Sequence, residues 1–256
     1  MHIKNHSRTK RLIFILSSFI ISLASMSLII RHDVSDQQYI ALADKYPQVC
    51  HLSDGEATLI KENWMLTAAH VATFLFEQLE NEETPQVSIG DRKLDVNKVI
   101  IHPNYKLTRT SIENDIALIQ IKEKVTNIPL AKLYDKEEEK GKEITIVGRG
   151  DFGTGLSGPV KRDKITRAAT NRIDKVYNQW LVFSFDNPES ENVTELEGIS
   201  GPGDSGGPAF IDIDNNRYIV GVSSNQRNNG KSGVYGVIEY YARVSFYRKW
   251  IENEIK

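Results

Sequence analysis

Residues 203–208 read GDSGGP, and this hexapeptide is the most specific signal in the 256-residue chain. Ser205 lies between glycines on a predicted turn, where small residues let a hydroxyl group and backbone amides face the same point. A nucleophilic serine requires that exposure. Taken alone, the hexapeptide also fits a glycine-rich β-turn that contains an incidental serine.

Two upstream segments carry further candidate catalytic side chains. Residues 66–70 read LTAAH, which places His70 at the end of an apolar segment, where small alanines leave room for an imidazole to act as a general base. Residues 114–119 read NDIALI, which places Asp115 at the head of an apolar strand. A carboxylate that enters a buried run needs a partner. None of the other five histidines has a setting comparable to that of His70.

Together, the three segments resemble those of the chymotrypsin/trypsin family of serine proteases. The order His70, Asp115, Ser205 and the intervals of 45 and 90 residues are similar to the layout of that family. Subtilisin-like and α/β-hydrolase enzymes arrange their triads in other orders. The resemblance extends over about residues 28–256, and the single cysteine indicates a bacterial-type member without disulfides.

The resemblance implies a role for each residue of the site. Ser205 is the expected nucleophile, His70 the base that takes its proton, and Asp115 the group that orients the imidazole. The backbone amides of Gly203 and Ser205 are the expected oxyanion hole. Asp204 is the expected partner of the amino terminus of the mature protein.

The chain departs from the family at that terminus. Most members carry a new terminus that begins Ile-Val-Gly-Gly, and this tetrapeptide is absent from the chain. Residues 28–30, Leu-Ile-Ile, lie at a similar distance before His70. We hypothesise that cleavage before Leu28 by signal peptidase frees the activating amine, so that no separate zymogen cut is needed.

The substrate pocket is predicted from positions relative to the nucleophile. In the family, the residue six positions before the nucleophile is the pocket floor, and here it is Ile199. An apolar floor favours small or medium apolar substrate side chains. Glu239 would instead favour basic side chains if it lies on a pocket wall, and this alternative stays open. The wall near Ser224 lacks the tryptophan that is common there in the family.

Short β-branched stretches separated by turn residues predict an all-β fold. Examples are residues 57–60, 64–69, 116–121, 208–213 and 234–238. The resemblance implies two packed antiparallel β-barrels with the triad in the cleft between them. Apolar residues at three- and four-residue spacing predict a C-terminal α-helix, with Ser245 as its N-cap. The charged segments 77–83 and 136–143 are predicted to be solvated loops.

The N-terminal region predicts export. A basic segment at residues 2–11 precedes an apolar run at residues 12–30, and small residues suit cleavage before Leu28 or before Ser25. We therefore expect a signal peptide at 1–27, a protease domain at 28–256, and a secreted or periplasmic protein. The apolar run also reaches the lower length limit of a spanning helix, so a retained anchor is the alternative.

Composition restricts the partners. The net charge of −2 gives no electrostatic reason to expect nucleic acid. Cys50 is the single cysteine, which excludes an intramolecular disulfide and predicts a buried thiol. No residue cluster has metal-ligand spacing, so we expect neither metal nor cofactor. The expected partner is a protein or peptide substrate, with membrane contact only if the leader is retained, and we expect a monomer.

The predicted function is a secreted serine endopeptidase that works through an acyl-enzyme. One alternative is a catalytically silent homologue that binds proteins without cutting them. Others are an esterase with the same nucleophile and an envelope quality-control protease. The last is disfavoured because no peptide-binding module follows the core.

Overall fold

A computed structural model describes residues 28–228 and 230–256, and most of that part of the chain folds into short strands. The strands are β1 (Ile29–Ile30), β2 (Val49–Leu52), β3 (Gly55–Lys61), β4 (Trp64–Thr67), β5 (Gln86–Ile89), β6 (Arg92–Ile101), β7 (Lys106–Leu107), β8 (Ile112–Glu113), β9 (Ala117–Ile121), β10 (Lys132–Leu133), β11 (Glu143–Gly148), β12 (Phe152–Thr154), β13 (Gly158–Lys161), β14 (Arg167–Arg172), β15 (Lys175–Tyr177), β16 (Trp180–Ser184), β17 (Gly198–Ile199), β18 (Pro208–Ile213), β19 (Asn216–Arg227) and β20 (Ile238–Arg243). The helices are α1 (Asp36–Ala43), α2 (Ala69–Glu80) and α3 (Val244–Glu254).

The first half of the fold is a closed barrel with the strand order β2-β3-β4-β9-β6-β5. Its core consists mainly of aliphatic side chains that suit a pleated, buried surface, and Leu59, Leu66 and Ile119 have no exposed surface. Cys50 is a free thiol in the same core. β7 and β8 form a separate small hairpin beside this barrel.

The second half is a curled eight-stranded sheet. Its path runs β14-β11-β18-β19-β20-β16-β15, and β10 pairs with β19 at one side. Helix α3 follows β20 and packs back onto β19 and β10. The closed barrel, the curled sheet and the terminal helix confirm the predicted trypsin-like all-β class.

Helix α2 corrects the prediction for the segment around His70. The strand predicted for residues 64–69 ends at Thr67, and the helix begins at Ala69. Ala69, Ala72 and Leu75 recur at three-residue spacing and are buried, which is the pattern of a helix with one apolar face. The helix also includes the first part of the charged segment 77–83, which was predicted to be a loop.

Two other predicted boundaries are wrong for local reasons. The strand predicted for residues 234–238 begins only at Ile238, because Gly236 adopts a positive φ of 88° that no strand accommodates. Helix α3 begins at Val244, with Arg243 as its N-cap residue. Ser245 does not cap the helix, because its hydroxyl group donates a hydrogen bond to Glu139 at 2.6 Å.

The segment 136–143 is not simply a solvated loop, because Glu139 within it is 1% exposed. Its two carboxylate oxygens accept hydrogen bonds from the Arg243 guanidinium at 2.9 and 3.0 Å. Such a bidentate pair compensates for the loss of water around a buried carboxylate. The contact fixes the start of α3 against the connection between the two halves.

The first described residues are built into the second half of the fold. β1 lies between β12, which runs parallel to it, and β17, which runs antiparallel, with Ile29 opposite both Gly153 and Ile199. Residues 28–30 are buried. The predicted leader at residues 1–27 lies outside the described part of the chain.

A buried arginine holds the segment that follows β1. Arg167 on β14 has no exposed surface, and its guanidinium donates to both oxygens of Asp36 at 2.6 and 2.8 Å. It also donates to Asp163 at 3.0 and 2.9 Å. Because Asp36 is the first residue of α1, these bonds fix that helix against the sheet and restrict the path of β1.

Candidate active site

His70 and Asp115 meet at the edge of the first barrel. His70 is the second residue of α2, and its backbone amide donates to Asp115 Oδ1 at 2.9 Å. The ring atom Nδ1 lies 2.8 Å from Asp115 Oδ2. Asp115 has no exposed surface. The two contacts fix both the backbone and the ring of His70, and they favour the tautomer that carries its proton on Nδ1.

Asp115 also binds a side chain from the second half of the fold. The Ser224 hydroxyl group on β19 donates to Asp115 Oδ2 at 2.6 Å. Ser224 was predicted only as part of a pocket wall, and it does line the cavity described below. The hydrogen bond joins residues 109 positions apart, so no local sequence pattern signals it.

The pKa of His70 responds to two opposing effects. Burial alone lowers the pKa, because it disfavours the charged ring. The negative charge and the hydrogen bond of Asp115 outweigh burial, so the pKa lies above its ordinary value. The pair therefore stabilises an imidazolium, which is the form that a base reaches after it accepts a proton.

The turn that carries Ser205 is anchored to the first barrel. The amide of Glu56 donates to the Ser205 carbonyl at 2.8 Å. Gly206 has a φ of 80°, and a Cβ atom there would lie 2.2 Å from Thr67 Oγ1 and 2.4 Å from the Glu56 carbonyl. Only glycine fits this position, which explains why the sequence has glycine directly after the serine.

The same turn leaves two amides outside its own hydrogen bonds. The amides of Asp204, Gly206 and Gly207 donate to the carbonyls of residues 201, 223 and 204. The amides of Gly203 and Ser205 are not part of this set, and both residues line the cavity that also contains His70. Backbone amides that face a cavity with a serine and a histidine can stabilise a negative oxygen.

Asp204 belongs to this turn, and its side chain is buried. Its oxygens accept hydrogen bonds from the amides of Gly150 at 3.1 Å and Gly201 at 2.9 Å. Gly148 makes room for it, because a Cβ atom on that glycine would lie 2.0 Å from Asp204 Oδ1. Burial, together with the nearby charge of Glu56, raises the pKa of Asp204 to about 8.

Two cavities adjoin Ser205. The smaller has a volume of about 210 Å³ and contains Gly203, Ser224 and Glu239 in its wall. The larger is an open, mainly apolar groove of about 700 Å³ between α2 and the β7–β8 hairpin. Ile199, the predicted pocket floor, does not line the smaller cavity. It is fully buried in β17, where it pairs with Ile29.

The described residues contain no group of three or more His, Cys, Asp or Glu side chains that could hold a metal ion. Within residues 28–228 and 230–256, no helix has the length and apolar character needed to cross a membrane.

The sequence is similar to known proteases over most of its length. Residues 41–251 match the family model described as Trypsin, and this range includes His70, Asp115 and Ser205. Vitamin K-dependent protein C of Mus musculus is 29% identical over 214 residues, which cover 77% of this chain and 45% of that protein. Transmembrane protease serine 11A of Homo sapiens is 31% identical over 212 residues, with coverages of 77% and 48%.

A relative from an insect gives a similar result. CLIP domain-containing serine protease B4 of Anopheles gambiae is 26% identical over 229 residues, which cover 77% of this chain and 61% of that protein. The chain therefore spans about half the length of the curated relatives it matches.

The raised pKa of Asp204 predicts how stability depends on pH in the uncleaved protein. The folded state holds a proton on Asp204 up to about pH 8, whereas the unfolded state releases it near the ordinary aspartate pKa of 3.8. Between these values, the Asp204 contribution to the free energy of unfolding falls as pH rises, by up to about 1.4 kcal/mol per pH unit. Urea unfolding at pH 4 to 8 measures this slope.

Asp204→Asn is expected to make that slope shallower, because the amide does not titrate. Asp91→Asn removes an exposed carboxylate from the β5–β6 turn and is the matched control, which should keep the parent slope. Equal slopes in the parent and Asp204→Asn proteins would show that Asp204 has no raised pKa.

Proposed function

Because the chain belongs to the trypsin family, we propose that it is a secreted serine endopeptidase that hydrolyses peptide bonds through an acyl-enzyme on Ser205. The observation that carries this proposal is the chain of contacts from Ser224 through Asp115 to His70, which ends in the cavity that contains Ser205. The substrate would be a protein or peptide, as for other serine proteases.

Each side chain has a defined part in the proposed reaction. Ser205 Oγ bonds to the peptide carbonyl carbon while His70 Nε2 takes the hydroxyl proton, and Asp115 stabilises the imidazolium. The carbonyl oxygen becomes negative and accepts hydrogen bonds from the amides of Gly203 and Ser205. The C–N bond then breaks, and His70 gives its proton to the departing amine. Water attacks the acyl-enzyme by the same route and releases the acid.

The register of β1 supports a role for the mature amino terminus. Extending the register of β1 back by one residue places Leu28 opposite Ser200, which follows β17, and opposite Phe152, the first residue of β12. Both of those segments lead directly to the amides that bind Asp204, which belong to Gly201 and Gly150. An amine on Leu28 therefore enters the region of a buried carboxyl group that, among the described residues, pairs with no Lys or Arg side chain.

We propose accordingly that residues 1–27 are a signal peptide and that residues 28–256 are the protease domain. Removal of the leader before Leu28 creates the ammonium group that pairs with Asp204 and keeps it charged. Because Asp204 belongs to the Gly203–Ser205 turn, the ion pair between the Leu28 ammonium group and Asp204 would stabilise that turn. Export and activation then occur in one step.

The triad predicts a specific pattern of kinetic losses. Ser205→Ala and His70→Ala should each lower kcat by roughly 10⁵ to 10⁶-fold, because either change removes the activated nucleophile. Asp115→Asn should lower kcat at pH 7 by about 10⁴-fold, because the amide favours the wrong histidine tautomer. Steady-state hydrolysis of peptide and ester substrates in parallel measures these losses, and Ser157→Ala on an exposed turn is the matched control.

The parallel substrates also separate the rival functions. Hydrolysis of esters without peptides would indicate an acyl hydrolase of another kind. A correctly processed protein that hydrolyses neither would indicate a homologue that binds proteins without cutting them. An Asp115→Asn protein with parental kcat would contradict the assigned role of Asp115.

The proposed maturation predicts a single amino-terminal residue. Mass spectrometry of the exported protein should identify Leu28 as its first residue, and chemical acetylation of that amine should abolish peptide hydrolysis. An active protein whose chain begins at Asp33 or later would contradict the proposal, because β1 and the proposed ammonium group would both be absent.

A further inference from the structure

Glu56 is a buried acid that contacts the turn of the nucleophile through its main chain. It is the second residue of β3 and is 2% exposed. Its backbone amide donates to the Ser205 carbonyl at 2.8 Å, and its carbonyl accepts a hydrogen bond from Thr67 Oγ1 at 2.7 Å. The backbone of Glu56 is therefore fixed between β4 and the turn that carries Ser205.

The Glu56 side chain connects the same turn to a third segment. Its Oε1 atom accepts a hydrogen bond from the backbone amide of Arg149 at 3.0 Å. The next amide along the chain, that of Gly150, donates to Asp204 Oδ1 at 3.1 Å. Because Asp204 directly precedes Ser205, these bonds close a ring. We call it the Glu56 ring, and its members in order are Glu56, Ser205, Asp204, Gly150 and Arg149.

The Glu56 ring includes one of the proposed oxyanion amides and adjoins the other. The amide of Ser205 lies on the covalent path between the Ser205 carbonyl and Asp204, and Gly203 is bonded to Asp204. Gly203 also lines a polar cavity of about 350 Å³ together with Glu56 and Arg149. Fixing the ring therefore restricts the direction of both amides, which must point at one oxygen to stabilise its charge.

His51 completes the hydrogen bonds of the Glu56 carboxyl group. It lies opposite Glu56 in the β2–β3 pair, and side chains that face each other across such a pair lie on one side of the sheet. Its Nδ1 atom is 2.5 Å from Glu56 Oε2. Burial raises the pKa of Glu56, and the charge and hydrogen bond of His51 are the largest opposing effects. His51 therefore favours the carboxylate, the form in which both oxygens accept hydrogen bonds.

We propose that Glu56 is a positioning residue for peptide hydrolysis and that His51 holds it in place. The Glu56 carboxylate closes the ring and thereby directs the amides of Gly203 and Ser205 at the substrate oxygen. The inference rests on the proposed function, because it concerns the same reaction. Neither Glu56 nor His51 forms a bond to the substrate. Asp115 orients the base, and Glu56 orients the oxyanion donors.

The barrel itself does not depend on a charged pair at this place. The β2–β3 and β3–β4 ladders are built from backbone hydrogen bonds, which other side chains would leave in place. Replacing a buried ion pair by apolar side chains of similar volume is often neutral or stabilising. A pair with a merely structural part could therefore be replaced without loss of activity, whereas a positioning pair could not.

Two substitutions of Glu56 test the positioning role by kinetics. Glu56→Met keeps the length of the side chain but removes both acceptors, so we expect kcat to fall about 100-fold while KM changes less than about threefold. Glu56→Gln keeps an acceptor for the Arg149 amide and should restore kcat to within about fivefold of the parent. A fluorogenic peptide selected with the parent protein is the substrate. A Glu56→Met protein with parental kcat, or with a loss confined to KM, would overturn the proposal.

The role of His51 is tested by two substitutions that differ in one donor. His51→Asn puts an amide nitrogen at the place of Nδ1, because both nitrogens are bonded to Cγ, whereas His51→Leu has no donor. We expect His51→Asn to keep kcat within about threefold of the parent and His51→Leu to lower it about tenfold. Ser88→Ala changes another side chain of the same cavity and is the matched control. Equal kcat values for the two His51 variants would contradict the role of His51.

A double substitution separates positioning from stability. His51→Leu combined with Glu56→Met replaces the buried pair by apolar side chains, so we expect a urea midpoint no lower than that of the parent. The kcat value should stay about 100-fold below the parental value, because the ring remains open. A stable double variant with parental kcat would overturn the proposal. A double variant that unfolds at a much lower urea concentration would show that the pair is structural and would overturn it as well.

Hydrogen exchange separates this inference from the proposed catalysis. The amides of Asp204, Gly206 and Gly207 donate the hydrogen bonds that hold the nucleophile turn. In the Glu56→Met protein, we expect these amides to exchange at least about tenfold faster, whereas β20 keeps its parental rate. Unchanged exchange in the turn would reject the inference, whatever the protein hydrolyses. Faster exchange confined to the turn, in a protein whose parent hydrolyses nothing, would retain the ring and reject the proposed function.

Discussion

The buried carboxylate of Asp115 is the interaction on which the two halves of the site depend. It accepts hydrogen bonds from the backbone and ring of His70 in the first barrel and from Ser224 in the second sheet. An unpaired charge in this position would be costly, so the bond from Ser224 favours the arrangement of the two halves that the structure has. In the same arrangement, the turn of Ser205 contacts Glu56, and His70 and Ser205 line one cavity. The geometry of the proposed active site is therefore a consequence of the hydrogen bonds that one buried carboxylate accepts.

Three further buried acids surround the nucleophile turn, and each has a different kind of partner. Glu56 lies 2.5 Å from His51 Nδ1, Asp204 is held by backbone amides, and Glu239 is met by Gln226. Burial raises the pKa of all three. Buried carboxyl groups are therefore concentrated beside the nucleophile turn, where function is expected, at a free-energy cost that the rest of the fold must offset. We propose that the mature amino terminus pairs with one of these acids, Asp204.

The fold class, the terminal helix and the segments of the site could be predicted from the sequence, because their signals are local. The positive φ of Gly206 is a local reason for glycine in GDSGGP, and short β-branched stretches predict strands. Of the residues named for the triad and the oxyanion hole, His70, Gly203 and Ser205 line one cavity, and the buried Asp115 contacts His70. Contacts between distant segments have no local signal in the sequence. How the two halves pack determines three such contacts, which are the pairing of Glu139 with Arg243, the bond from Ser224 to Asp115 and the position of Gln226. Helix α2 was missed because its apolar start also reads as the end of a strand.

The measurement that tests the central claim most directly is labelling of the exported protein with a fluorophosphonate, followed by peptide mapping. This reagent reacts with serine only where a base and oxyanion donors activate the hydroxyl group. We expect a single modified residue, Ser205, and no modification of the Ser205→Ala protein under the same conditions. A correctly processed, folded protein that stays unlabelled, or that is labelled on another serine, would contradict it.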